Sequence, residues 1–198
     1  NIPEFIPDLV RMLDNVIEFF IQHAPSSLEK AKYSAMRERS IGLGAMGFHA
    51  YLQRHNIAFE SAMAKSFNMR AFSHLKSSAL EASQQLAAEK GECPDGVGYG
   101  IRNAHLLAIA PNASSSIICG NTSPSIEPYR ANAFTQKTKS GTSLLKNEYL
   151  EHALDEIDMN TDEVWKDIMT HGGSVQHLEF LDTWTKDVFK TAVELDQR

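Results

Sequence analysis

Cysteine, long apolar runs and runs of like charge are all scarce in this sequence of 198 residues. Two cysteines, Cys93 and Cys119, cannot build a disulfide framework, and they favour a reducing compartment, so we expect a cytoplasmic protein. No apolar stretch approaches the roughly 20 residues that a membrane span requires. A net charge of −6 without a basic run predicts neither nucleic acid nor a membrane as a partner.

The beginning of the chain lacks an initiator Met and the basic segment of a signal peptide. We interpret the sequence, which starts Asn1-Ile2-Pro3-Glu4, as a fragment of a longer protein that is truncated at both ends. Its length suffices for one sizeable domain, and its 42% hydrophobic and 22% charged residues are ordinary for a globular protein.

Helical periodicity accounts for most of the sequence. Apolar residues recur at three- and four-residue spacing in several segments, each of which predicts an amphipathic helix. These segments are residues 7–23, 61–90, 147–157, a helix capped by Thr161 and closed by Gly172-Gly173, and a last helix from Leu178 to the end of the chain.

A few short extended segments lie between the predicted helices. Residues 106–110 form an apolar run that stops at Pro111, which predicts a buried strand. Residues 134–138 and 142–145 flank the turn Lys139-Ser140-Gly141 and predict a hairpin. Strands that alternate with helices favour a parallel sheet or barrel, and these strands are too few to close a barrel alone.

Three glycines, Gly42, Gly44 and Gly47, match the dinucleotide-binding pattern G-x-G-x-x-G. That pattern requires a hydrophobic strand directly before it, whereas residues 32–40 are mostly polar or charged. A Rossmann-type oxidoreductase is therefore the weaker hypothesis. We prefer a short strand in which the glycines permit close backbone packing, followed by a helix through Phe48.

Four small or polar residues, Asn112, Ala113, Ser114 and Ser115, follow Pro111 and open onto a predicted helix. The N–H groups of a first helical turn, aided by serine hydroxyls, suit an anion. The alternative is a serine-rich N-cap without a ligand. The residue types alone leave both interpretations open.

No metal site is expected from the sequence. The eight histidines are scattered, without an H-x-x-x-H pair on one helix, and Cys93 has no C-x-x-C partner.

Several ordered motifs give the sequence a specific resemblance. The segment PNASSSIICGNTSPSIEPY, residues 111–129, resembles the P-[TN]-A-S-[ST] … G-N-x-[SP]-x-x-E-P segment of the ribonucleotide reductase large (α) subunit. Residues 39–47 are similar to that family's R-x-[IL]-G-[IL]-G segment. Shorter matches follow the family's order, at residues 59–62, 80–83, 86–91 and 100–103.

The resemblance implies a fold and a reaction. In that family the catalytic domain is a ten-stranded α/β barrel made of two halves, each with five parallel strands. Residues 1–198 would then be part of the second half-barrel, helix-rich with few short strands. The family reduces ribonucleotides to deoxyribonucleotides for DNA synthesis, through a thiyl radical and a reducing cysteine pair.

The resemblance also implies which residues contact the substrate. Asn112, Ala113, Ser114 and Ser115 would hold its phosphates, although the family more often has Thr where Asn112 stands. The family's radical cysteine and reducing cysteines have no match here, and Cys93 and Cys119 do not fall at catalytic positions. We therefore assign no catalytic residue and expect no activity from the fragment alone.

Cofactors and partners follow from the same resemblance. The fragment itself is expected to bind no cofactor, while the parent protein would use a thiol reductant and a radical generator, either a di-metal small subunit or adenosylcobalamin. Expected partners are a ribonucleoside diphosphate, the remaining half of the α subunit and a small radical-generating subunit. The alternative is a non-catalytic assembly or binding module that complements a separate reductase piece.

Overall fold

A computed structural model describes residues 4–139 and 141–196, in which eight α-helices and one two-stranded sheet are found. The helices are α1 (Phe5–His23), α2 (Glu29–Glu38), α3 (Phe48–Arg54), α4 (Ala62–Lys90), α5 (Ala113–Ile118), α6 (Glu148–Asp155), α7 (Asp162–Thr170) and α8 (Thr183–Val188). The strands are β1 (Ala133–Thr138) and β2 (Gly141–Lys146). None of the described helices is long and apolar enough to cross a bilayer.

The chain divides into two compact units. The first unit comprises the residues up to Gly44 together with Asn68–Ala110, and the second comprises Ala45–Phe67 and the residues from Pro111 onwards. Each unit has its own core of buried apolar side chains.

In the first unit the apolar stripe of α1 is buried against that of α4, as their periodicity predicts. Val10 from α1 and Leu86 from α4 are buried in one cluster with Leu43. Leu43 forms a parallel bridge with Leu107, and its backbone N–H donates to the Leu106 carbonyl at 2.8 Å. A short strand was expected near Gly42 and Gly44, but the structure forms only this isolated bridge there.

The prediction of a buried strand at residues 106–110 is wrong, because the run forms only one isolated bridge and most of it is exposed. Leu106 is half-buried, but Leu107 is exposed and Ile109 is 71% exposed. The apolar run pairs along one edge with Leu43, and no layer of described residues covers its outer side chains.

A buried charge cluster in the first unit was not predicted. Asp14 lies on the apolar face of α1 and is completely buried, and its carboxylate accepts a hydrogen bond from Arg39 Nε at 2.9 Å. Lys90 Nζ and Arg102 Nε lie 3.3 and 3.5 Å from its oxygens. Burial alone would raise the pKa of Asp14, but the hydrogen bond and charge of Arg39, with the charge of Arg102, outweigh burial and lower it.

The hairpin and the helices α6 and α7 of the second unit agree with the sequence. β1 and β2 pair antiparallel, with Ala133 opposite Lys146, although Ser140 of the predicted turn lies outside the described residues. Asn147 caps α6 by accepting from the Tyr149 N–H at 3.1 Å, and Thr161 caps α7 by accepting from the Val164 N–H at 3.4 Å. The apolar faces of α6 and α7 meet in the core of the second unit.

The last predicted helix is much shorter than expected, and one helix was missed. α8 ends at Val188 because later N–H groups find acceptors elsewhere: Ala192 donates to the Tyr129 carbonyl, and Thr191 donates to the Glu194 carboxylate. Residues 197–198 of that prediction lie outside the described residues. The missed helix is α2, which lies in a mostly polar and charged segment for which no helix was predicted.

Candidate functional site

The candidate site is the first turn of α5, which follows the run 106–110 directly. Asn112 is the N-cap residue, and its side chain makes no capping hydrogen bond. Ser116 is buried and donates from Oγ to the Ala113 carbonyl at 3.0 Å, which fixes the turn from inside. The side chains of Ser114 and Ser115, in contrast, are exposed to solvent.

This arrangement bears on the two interpretations of the serine stretch. Neither Ser114 nor Ser115 is the N-cap residue, because both lie inside the first helical turn. The N–H groups of Ala113, Ser114 and Ser115 have no acceptor within the helix, as in any first turn. The helix therefore presents three successive backbone donors and two exposed hydroxyls on one short stretch.

The loop after α5 returns to the first turn of α3. Thr122 donates from its backbone to the Ser116 carbonyl at 3.1 Å, and Gly120 and Asn121 take positive φ angles of 85° and 58° to make this turn. Ser123 then accepts from the Gly47 N–H through its carbonyl and from the Ala50 N–H through its hydroxyl, at 2.9 and 3.1 Å.

These contacts weaken the dinucleotide hypothesis. The donors at the start of α3 are used by the Ser123 segment, and a Cβ on Gly47 would lie 2.8 Å from Thr122 Oγ1. A Cβ on Gly42 would lie 2.9 Å from Ala108 Cβ, and one on Gly44 would lie 2.6 Å from the Ala108 carbonyl oxygen. All three glycines thus permit close packing within the protein, as the preferred interpretation predicts.

Tyr129 joins this loop to the core of the second unit. Its hydroxyl donates to the Asn121 carbonyl at 3.1 Å, and its backbone N–H donates to His49 Nδ1 at 3.0 Å. Burial raises the pKa of the Tyr129 hydroxyl, so the hydroxyl stays protonated as a donor at physiological pH.

A network of buried amides behind Tyr129 was missed by the sequence reasoning. Asn147 Nδ2 donates to Gln53 Oε1 at 2.8 Å and to Asn132 Oδ1 at 2.9 Å. Asn132 Nδ2 in turn donates to the carbonyls of Gly173 and Phe189. The helix-capping position of Asn147 could be read from the sequence, but nothing in the spacing indicated that these amides meet.

A cleft of about 510 Å³ lies in the second unit next to α5. Of the four predicted phosphate ligands, Ala113 lines it, and Asn112, Ser114 and Ser115 do not. Its lining also includes Arg130, a cation that the sequence reasoning did not single out. The cleft has the size of a small-molecule pocket.

The two cysteines differ in environment. Cys93 is fully buried in the first unit, and its backbone N–H donates to the Ile101 carbonyl. Cys119 is exposed just after α5. Both are free thiols.

Comparison with known proteins places the whole chain within one family model. The model described as "Ribonucleotide reductase, barrel domain" matches residues 1–96 and 94–198. The putative ribonucleoside-diphosphate reductase large subunit of Frog virus 3 (isolate Goorha) is 46% identical over 198 residues, which cover 98% of this chain and 35% of that protein.

Two further comparisons agree. The ribonucleoside-diphosphate reductase large subunit of Invertebrate iridescent virus 3 is 46% identical across 100% of this chain and 32% of its own length. The solved structure of the Actinobacillus ureae class Id ribonucleotide reductase alpha subunit superposes with a TM-score of 0.86 at 42% identity, over 95% of this chain and 35% of that one. The chain therefore spans about a third of the length of these relatives.

Proposed function

Because this chain belongs to the ribonucleotide reductase barrel-domain family, we propose that it carries the substrate-phosphate site of a ribonucleoside-diphosphate reductase large subunit. The ligands are Asn112, Ala113, Ser114 and Ser115, at the start of α5. The observation that carries the proposal is the coincidence of the family motif with exposed donors in a first helical turn.

The chemistry of these donors suits a phosphate. Backbone N–H groups at a helix start carry partial positive charge and point towards an incoming anion. Hydrogen bonds to a charged phosphate are shorter than neutral ones and roughly twice as strong. Ala113 contributes only its backbone N–H, whereas Ser114 and Ser115 also contribute their hydroxyls. Asn112 contributes a side-chain amide at the position where the family more often has the hydroxyl of a threonine.

We infer that the complete protein reduces ribonucleoside diphosphates to deoxyribonucleotides by radical chemistry. In it, this chain forms part of the second half-barrel and anchors the substrate while other segments supply the reacting cysteines. The radical generator is a di-metal small subunit or adenosylcobalamin, and a thiol reductant closes the cycle. A smaller partner subunit fits the designation "large subunit" of the viral relatives.

Exposed apolar side chains support association with further protein surface, in the first instance the remaining half of the α subunit. On α1, Met12, Val16 and Phe19 are each more than half exposed, although the opposite face of the same helix is buried. Surfaces of this kind on a soluble protein mark sites of protein contact.

The proposal is tested by the variants Ser114→Ala and Ser115→Ala in the intact protein. Each removes one hydroxyl donor and keeps the helix, so each should weaken binding of a ribonucleoside diphosphate by about 1–3 kcal/mol. Affinity for the unphosphorylated ribonucleoside should stay unchanged. Isothermal titration calorimetry measures both affinities.

The matched control is Ser77→Ala, since Ser77 is an exposed serine of α4 whose hydroxyl donates to the His74 carbonyl. It should alter neither affinity. Undiminished diphosphate binding and turnover in both site variants would refute the assignment. If a variant lost the same factor in affinity for the ribonucleoside and for its diphosphate, the serine would not act on the phosphates, and the assignment would be wrong.

A further inference from the structure

A second cluster of ligating side chains lies at the end of α7, outside the site already described. His171 Nδ1 lies 3.1 Å from Asp167 Oδ1, and His177 Nε2 lies 3.0 Å from Asp167 Oδ2. The two imidazole rings stack, with centroids 3.7 Å apart and planes inclined by 24°. One ligand atom from each of the three side chains lies within 4.8 Å of the others.

The backbone places these side chains firmly. The turn after α7 closes through the Gly173 N–H, which donates to the Ile168 carbonyl at 2.8 Å, and Gly173 packs against Ala131. His177 lies in the next turn, where the Leu178 N–H donates to the Val175 carbonyl. Ile168, Val175 and Leu178 are all buried in the core of the second unit. The three candidate ligands therefore project from anchored backbone.

We propose that Asp167, His171 and His177 bind a divalent transition-metal ion of the Zn²⁺ type, with water completing its coordination. Two imidazoles and one carboxylate are a donor set that suits zinc and its neighbours, whereas Mg²⁺ and Ca²⁺ prefer oxygen ligands alone. The proposal is independent of the phosphate site and of the reductase reaction.

The spacing of the ligand atoms fits such an ion. Metal–ligand bonds of about 2.0–2.1 Å in a tetrahedron put neighbouring ligand atoms about 3.3 Å apart. The two nitrogen–oxygen separations are within a few tenths of an ångström of that value, and each histidine faces a different oxygen of the Asp167 carboxylate. A modest rotation of the half-exposed carboxylate would offer one of these oxygens to an ion that both histidines bind. The ligand nitrogens of the two rings lie within 4.8 Å of each other. His171 Nδ1 also lies 2.9 Å from the Asp167 backbone carbonyl oxygen, so rotation of this half-exposed ring would both release Nδ1 and bring it closer to the second nitrogen.

The charge of the cluster points the same way. Among the ion pairs of the described residues, those of Asp167 are made with these two histidines and with no lysine or arginine. When the imidazoles bind a metal ion in their neutral form, the three ligands carry one negative charge, that of the carboxylate. This charge attracts a divalent cation. Asp167 and His171 are about half exposed, so an ion can enter from solvent.

The test is calorimetric titration of Zn²⁺ into the intact protein, purified apart from any partner subunit and stripped with a chelator. We expect one ion per chain at this site, with affinity reduced at least about tenfold in His171→Ala, in His177→Ala and in Asp167→Asn. Co²⁺ should give the visible absorption of a near-tetrahedral site in the unaltered protein and lose it in each variant.

The control is His152→Ala, which removes an exposed histidine of α6 and should leave the affinity and the Co²⁺ spectrum unchanged. Thermal unfolding gives a second readout: Zn²⁺ should raise the Tm of the unaltered protein and of His152→Ala, but not that of His171→Ala. The proposal would be overturned if the unaltered protein did not bind Zn²⁺, or if the three site variants bound Zn²⁺ as strongly as the control His152→Ala.

Discussion

His49 shows how the environment of one residue couples folding to pH. The ring is completely buried, and Nδ1 accepts a hydrogen bond from the Tyr129 N–H, so the neutral ring carries its proton on Nε2. Burial lowers the pKa of His49 to about 4, against a smaller opposing effect of the Val188 carbonyl. Protonation would turn Nδ1 into a second donor that faces the Tyr129 donor.

We predict that stability falls as the pH is lowered from about 7 to about 4. In this window the unfolded chain protonates His49 and the folded chain does not, so the contribution of His49 to the free energy of unfolding is fully present above the unfolded pKa of about 6.5. The loss is complete near pH 4 and amounts to about 3 kcal/mol. Denaturant unfolding at a series of pH values measures it.

The variant His49→Gln isolates this contribution because glutamine does not titrate. It should flatten the dependence of unfolding free energy on pH between 7 and 5, whatever it does to stability at pH 7. His74→Gln, at an exposed position in α4, is the control and should keep the original slope. An unchanged slope in His49→Gln would contradict the assigned cause.

Single buried polar residues were the hardest features to predict. Asp14 follows the buried Val10 by four residues, so the sequence did place a charge on an apolar helix face. Its partners Arg39 and Arg102 are distant in sequence, and periodicity carries no information about them. The same holds for His49, whose burial depends on contacts with Tyr129 that only the fold creates.

At the scale of elements, the pairing of residues 41–43 with 105–108 depends on two glycines. Ile41 and Leu43 donate backbone hydrogen bonds to His105 and Leu106 at 2.9 and 2.8 Å. The Cβ of an alanine at Gly42 would meet Ala108 Cβ, whereas one at Gly44 would meet the Ala108 carbonyl oxygen. The obstacle is thus a side chain in the first case and backbone in the second.

We predict that Gly42→Ala lowers the free energy of unfolding by about 1–3 kcal/mol, and that Ala108→Gly in the same chain restores most of it. Gly44→Ala should destabilise at least as much, and Ala108→Gly should not rescue it. Two double-mutant cycles measure this, one pairing Gly42→Ala with Ala108→Gly and the other pairing Gly44→Ala with Ala108→Gly. Each requires the free energy of denaturant unfolding of the unaltered protein, the two single variants and the double variant. Equal rescue in the two cycles would show that the close approach to Ala108 is not what destabilises these variants.

Elements with local signals were predicted well, and those that depend on distant contacts were not. The helices α4, α6 and α7 have periodic apolar faces, and Asn147 and Thr161 cap two of them. The segment after Val188 has the same apolar spacing, but its N–H groups bind the Tyr129 carbonyl and the Glu194 carboxylate instead of a helix ladder. Spacing alone cannot distinguish these two outcomes.

For the whole molecule, the expected fold class is confirmed: the chain is part of the α/β barrel of its family, helix-rich with few short strands. The exposure of Ile109 and Ile118 agrees with this, because a part of a barrel leaves apolar side chains that further strands and helices of the domain can cover. The family was recognised from ordered motifs, not from composition, which fits any globular protein.

The candidate site was located by its motif and only partly explained by its chemistry. The residue types after Pro111 allowed a helix cap or an anion site. In the structure Ser114 and Ser115 lie inside the first turn of α5, and both are exposed. The cluster of Asp167, His171 and His177 had no sequence signal, because its third member follows a turn whose geometry the spacing does not specify.

The proposed function requires the first turn of α5 to hold the substrate's phosphates. A crystal structure of the intact protein with a bound ribonucleoside diphosphate tests it most directly. We expect phosphate oxygens within about 3 Å of the backbone nitrogens of residues 113–115 and of the Ser114 or Ser115 hydroxyls. A diphosphate bound elsewhere, with these donors facing only solvent, would contradict it.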